Sequence, residues 1–141
     1  MTSAWLDLRS EFARWNDAGR VVDFWWRDDD ACHEDAALAK LLQLAAQEQV
    51  PLALAVIPLD VQPQVLLQKG HGVWLLQHGC DHTNRAGVGE KKTEFPVAEP
   101  VDHALARLQH GWAQLQGPAA VQVLVPPWNR IGSAALPGRL A

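Results

Sequence analysis

The sequence is poor in several things at once. It has only two cysteines, Cys32 and Cys80, among 141 residues, too few for a disulfide-stapled scaffold and suited to a reducing compartment. Basic residues are in deficit: 12 Lys and Arg stand against 16 Asp and Glu, a net charge of −4 with histidine neutral. No basic face is there to neutralise phosphates, so nucleic acid is not an expected partner. Long apolar runs are missing as well. Stretches such as Pro51 to Leu59 fall short of the ~20 residues a membrane helix needs, so no membrane partner is expected either. The first ten residues, Met-Thr-Ser-Ala-Trp-Leu-Asp-Leu-Arg-Ser, show no basic segment followed by an apolar one. No secretory signal is read, and a cytoplasmic location is expected. What is present, 48% hydrophobic and 20% charged residues, is the balance of a globular domain and excludes a disordered chain. The apolar content serves one core rather than two, so a single domain over residues 1–141 is expected.

Strand and helix signals alternate along the chain. Trp5, Leu8, Phe12 and Trp15 recur at helical spacing, with Ser3 as the expected cap and Gly19 as the stop. Val21 to Asp28 is rich in β-branched and aromatic residues and predicts a mostly buried strand. A helical stripe of Leu38, Leu41, Leu42 and Ala45 follows, running through Gln49. Pro51 to Ile57 predicts an interior strand, Pro63 to Lys69 a short helix broken by Gly70 and Gly72, and Val73 to Gln77 a third strand. A polar loop runs from Thr83 to about Pro96. Val101, Leu105, Leu108, Trp112 and Leu115 then mark a helix ended by Gly117-Pro118. Val121 to Val125 is the fourth strand, stopped by Pro126-Pro127. Strands apolar on both faces, alternating with helices, imply an α/β fold of about four parallel strands with flanking helices and right-handed crossovers. In such folds the site lies at the C-terminal ends of the strands.

Three of those ends carry candidate chemistry. Asp28-Asp29-Asp30 follows the first strand. Three adjacent carboxylates repel one another, and a metal ion, Arg27 or a helix N-terminus would compensate them; capping alone uses only one. His78-Gly-Cys-Asp-His82 follows the third strand. Two histidines four apart can converge on one metal if the segment turns helically. Cys80 could ligate instead, from the opposite side of the turn. Val-Pro-Pro-Trp-Asn-Arg, Val125 to Arg130, follows the fourth strand. The prolines stiffen it, and Trp128 either offers a wall to a sugar ring or closes the core. Arg130 can orient a carboxylate bidentately.

Taken together, Trp-Arg-Asp-Asp-Asp-Ala, Gln-His-Gly-Cys-Asp-His-Thr-Asn and Pro-Pro-Trp-Asn-Arg resemble the polysaccharide deacetylase (NodB-homology) family, in its bacterial branch. The resemblance runs from about Phe24 to Ile131. It implies a distorted (β/α) barrel and metal-dependent hydrolysis of an N- or O-acetyl group. Carried onto this chain, it places the general base at Asp29, with Asp28 as competitor, and the metal ligands at Asp30, His78 and His82. Trp128 and Asn129 become substrate-binding residues. The family's third motif usually begins with an arginine that steadies the base; Val125 stands there, so Arg130 or Arg27 would serve as the catalytic partner. A full barrel needs on the order of 200 residues, so a partial barrel, incomplete at its C-terminal side, is expected. The family's late general-acid histidine has no counterpart, with His33 or water as substitutes.

The resulting expectation is a divalent-metal hydrolase, with Zn²⁺ foremost and Co²⁺, Mn²⁺ or Fe²⁺ suiting the same donors. Its substrate would be an acetylated carbohydrate or a small acetylated or amide compound, with weak or absent turnover. Two alternatives stand beside it: a non-catalytic metal-binding or oligomeric module, and a hydrolase of small non-peptide C–N bonds. The unpaired edge near Val121 to Val125 invites a homodimer. The Gly89-Glu90-Lys91-Lys92-Thr93-Glu94 stretch reads as a solvated charged loop or a rim contact to substrate.

Overall fold

The computed structural model describes residues 3–67, 72–115, 117 and 119–140. In chain order the elements are α1 (Ser3–Asp17), β1 (Trp26–Asp29), α2 (Ala36–Glu48), β2 (Leu52–Val56), α3 (Pro63–Leu66), β3 (Val73–His78), α4 (Val101–Leu115), β4 (Ala120–Val125) and α5 (Pro137–Leu140). The four strands form one sheet in the order β1-β2-β3-β4, every pair parallel. The α/β class and the four parallel strands expected from the alternation are therefore present. Among the described residues no helix is long and apolar enough to cross a membrane.

Sheet and helices share a two-sided arrangement. Leu52, Leu54 and Val56 of β2 and Leu75 of β3 cluster with Leu38 and Ala45 of α2, Val65 of α3 and Leu115 of α4. Alternation sends Ala53, Ala55 and Leu76 to the other face, where they meet Val125 and Val121 of β4 in a cluster that contains no helical residue. A sequential parallel order produces this outcome, because right-handed crossovers that all step the same way put every helix on the same side. The far flank of α4, Ala104 and Leu108, closes a third cluster with Phe95 and Leu136.

Local signals set most element ends. Asp35 caps α2, its Oδ1 accepting the Leu38 amide at 2.8 Å, and Gln49 ends that helix in the left-handed region. Gly19, at φ +64°, closes α1: its amide donates to Asn16 O and that of Arg20 to Trp15 O, the paired bonds of a Schellman stop.

Three expectations change. The first strand covers only Trp26–Asp29; Val21 is 86% and Phe24 73% exposed. The pairing explains this, since Trp26 faces Leu52, the first residue of β2; the residues upstream have no strand partner among the described residues. Gln122 and Val123 of β4 are exposed, because among the described residues β4 is an edge paired only with β3. Ser3 stands inside α1 rather than before it. The third helix is seen as far as Leu66; Lys69, Gly70 and His71, like Pro118, lie outside the described residues.

Candidate metal centre

The strand register carries the acidic and imidazole groups to one rim. Asp29 pairs with Ala55, and Ala55 with Leu76. His78 lies two residues beyond Leu76, so it shares that residue's face, the helix-free one. By the same alternation Asp28, opposite Leu54, lies on the helix-covered face. There burial and the neighbouring carboxylates of Asp29 and Asp30 hold the Asp28 carboxyl above its ordinary range. Of the two competitors for the base position, Asp29 is the one on the histidine side.

Asp30, His78 and His82 converge. Their ligand atoms all lie within 4.8 Å of one another. His78 Nε2 is 3.1 Å and His82 Nε2 3.3 Å from the same oxygen, Asp30 Oδ1. A tetrahedral zinc site with bonds of 2.0–2.1 Å has ligand–ligand edges of about 3.3 Å, so the two measured edges already suit such an ion. The tautomer of His78 sharpens the point. Its Nδ1 sits 2.9 Å from the carbonyl oxygen of Val125, which can only accept, so Nδ1 carries a proton. In the neutral ring Nε2 is then a bare acceptor facing a carboxylate oxygen. Two acceptors at that distance need a cation between them, either a second proton or a metal ion. Two imidazoles and one carboxylate are a donor set that holds Zn²⁺ or a related divalent ion.

Backbone conformation, not a helix, brings the two rings together. The sequence suggested a helical turn between them; the segment is irregular, with Gly79 at φ +62° and His82 at φ +53°. The non-glycine residues with positive φ among those described are Asp30, Gln49, His82, Trp128 and Asn129. Gln49 is a helix cap; the other four are all sequence-predicted site residues. Left-handed backbone costs an L-residue about 1–2 kcal/mol, and such strain collects where function over-determines the geometry. Cys80, between the histidines, points away: it is buried, its Sγ 3.1 Å from the Arg107 carbonyl. Burial pushes its thiol up, which makes it a poor ligand.

The other candidates surround this centre unevenly. Asp29 is gripped by Arg27, whose Nε and Nη2 lie 2.7 and 3.1 Å from its two oxygens. The bidentate partner is thus Arg27, while Arg130 is exposed and makes no ion pair with a described residue. Trp128 is half-buried, its ring 4.4 Å from that of His82, with Lys92 Nζ 6.0 Å above it. Asn129 is exposed beside it. His33 is exposed, 3.8 Å from Asp60, and lines with Asp28, Asp30 and Cys32 a cleft of about 270 Å³.

Sequence reasoning passed over Glu94. The stretch that looked like a solvated loop, Gly89 to Glu94, ends in Thr93 and Glu94, both buried, as is Phe95 directly after it. Glu94 Oε1 accepts the amides of Cys80 at 2.9 Å and Asp81 at 3.4 Å, together with Arg107 Nη1 at 2.9 Å. Burial holds its carboxyl above the ordinary range despite these donors. The one available signal was Phe95-Pro96 directly after a glutamate, an apolar anchor inside a polar run. No family model matches the chain, and no curated protein or solved structure matches it. Fold and site together describe a parallel α/β sheet whose C-terminal rim carries a three-residue group able to hold a metal ion.

Proposed function

We propose that the protein is a metal-dependent hydrolase that removes an acetyl group from nitrogen or oxygen of a carbohydrate, built on a sector of a (β/α) barrel of the polysaccharide deacetylase type. The observation that carries this is the meeting of His78 Nε2 and His82 Nε2 on Asp30 Oδ1. The sequential strand order, with α2, α3 and α4 packed on one face, supports the barrel geometry, in which the helix-free face turns inward.

A bound divalent ion supplies Lewis acidity and lowers the pKa of water. Asp30, His78 and His82 are the residues that would hold it. Asp29, on the same face as His78, accepts the proton of the attacking water as general base. The Arg27 fork fixes the direction of that carboxylate. Trp128 offers a ring face to the sugar, with Asn129 next to it. His33, which lines a cleft with Asp30, or a water is left to protonate the leaving amine or alcohol.

Elemental analysis of the purified protein tests the centre. Wild type should carry close to one divalent ion per chain, and the double variant His78→Ala, His82→Ala none; equal metal in both would remove the assignment. Acetate release from an N-acetylated oligosaccharide tests the chemistry, and loss of release in Asp29→Asn with metal retained is the expected result. A second reading, an oligomeric metal-binding module without turnover, is supported by β1 and β4, each paired on one side only. Metal without acetate release, in a dimer by size-exclusion chromatography, would favour it.

A further inference from the structure

The two histidines are held by different means. His78 ends β3, 4% exposed, with Nδ1 tied to Val125. His82 belongs to no helix or strand, and its ring is 23% exposed. A second anchor must fix it relative to the first, and the chain between them shows where that anchor is. The amides of Cys80 and Asp81 both donate to a single atom, Oε1 of Glu94. Gly79, immediately before them, lies so close to Glu94 Oε2 that any Cβ there would overlap it.

The glutamate is itself braced. Arg107 on α4 donates to Glu94 Oε1 and to the Glu94 carbonyl at 3.1 Å, and forks onto Glu99 at 3.0 and 2.7 Å. The carbonyl of Arg107 accepts Cys80 Sγ. Thr93 Oγ1 donates to the Arg130 carbonyl at 3.1 Å, and Phe95 O accepts the Gly132 amide at 2.7 Å. The Thr93–Phe95 segment therefore ties the histidine turn to the loop that carries Trp128. Stability alone does not account for the carboxylate: Glu94 Oε2 is buried with no hydrogen-bond partner among the described residues, and an unsatisfied buried oxygen is a cost. A cost kept where a Cβ on Gly79 of the histidine turn would fall points to the site.

Building on the metal reading above, we propose that Glu94, braced by Arg107, is the positioning residue of the metal centre: it fixes the turn 79–82 and thereby the placement of the His82 imidazole against His78 and Asp30. It touches neither metal nor substrate. Exchanging it should change the coordination geometry, not merely loosen the fold.

The test is titration of the full-length protein with cobalt(II), followed by the visible ligand-field absorption, with a thermal melt of each variant. Wild type should bind one cobalt with an intense tetrahedral-type band. Glu99→Gln, which removes the charge of the other carboxylate on Arg107, should lower the melting temperature yet bind cobalt within about twofold of wild type with an unchanged band. Glu94→Met, which keeps the side chain's length but offers no oxygen to the two amides, should weaken binding at least tenfold and shift the band, measured well below its own melting temperature. If Glu94→Met does not fold, Glu94→Asp keeps the charge for Arg107 but withdraws the oxygen from the two amides, and should shift the band likewise. Wild-type affinity and band in a folded Glu94 variant would overturn the proposal while leaving the metal centre intact. Absence of cobalt binding by wild type would overturn the metal reading and this one with it.

Discussion

Gly79→Ala gives a worked test of how tightly the histidine turn is packed. Two costs add. Gly79 has φ +62°, and an L-residue in that region loses about 1–2 kcal/mol. Its new Cβ would also overlap Glu94 Oε2 and fall 2.7 and 2.8 Å from Cγ and Cδ of Pro127. Neither neighbour can yield freely: Glu94 is fully buried and clamped, and Pro127 is a ring in the core. Overpacking of this kind costs about 1–3 kcal/mol, so the sum is about 2–5 kcal/mol against a typical total stability of about 5–15 kcal/mol. Gly19→Ala is the matched control. Its φ of +64° carries the same strain, and nothing lies within 4 Å of the added carbon, so about 1–2 kcal/mol is its ceiling. Urea unfolding of both variants, with unchanged slopes, isolates the collision as their difference. Equal losses in the two, or a Gly79→Ala loss below about 1 kcal/mol, would refute the packing described for Glu94 and Pro127.

Further outcomes are expected elsewhere in the molecule. Asp35→Ala should cost about 1 kcal/mol in urea unfolding, because it removes the side-chain acceptor for the Leu38 amide at the start of α2. Asp81 is held well below the usual carboxylate range by the Arg85 fork, at 2.8 and 2.7 Å. A depressed pKa gives stability that is fully present above the unfolded value near 4 and is lost as pH falls below it. The stability gap between wild type and Asp81→Asn should therefore be constant near neutrality and narrow below about pH 4; a gap that widens there would contradict the pairing. Zinc at about 100 times its dissociation constant should stabilise the chain by about 2.7 kcal/mol, seen as a raised melting temperature that a chelator reverses. The His78→Ala, His82→Ala variant should show no such shift.

The site residues were legible in the sequence because the strand ends announce themselves. Apolar runs stop abruptly at Asp28, His78 and Pro126, and parallel order then forces those ends to one rim. The gathering of Asp30, His78 and His82 followed from that order. What the sequence concealed was conformational. A helical turn was the simplest way to bring residues 78 and 82 together, and the left-handed backbone at Gly79 and His82 does it instead. Propensity misled at Val21 to Trp25, since β-branched and aromatic residues make a strand only where a neighbour exists to pair with. Two arginines, Arg27 and Arg130, could each have served Asp29 on chemical grounds; only the fold picks Arg27. Glu94 was hidden by its surroundings, for a glutamate in a charged loop reads as solvated until Phe95 is seen to drag it inward.

Helix α1 is the outlier of the molecule. Not one of its residues is buried, and its ring contact, Phe12 edge-on to Phe24 at 5.6 Å, reaches an irregular segment rather than the sheet. Its amides should accordingly exchange with deuterated solvent through small local openings while those of β2 wait for the whole sheet to come apart. Heating should register the same split, with an early loss of helical ellipticity that leaves the near-ultraviolet signal of Trp26 and its packed neighbours untouched.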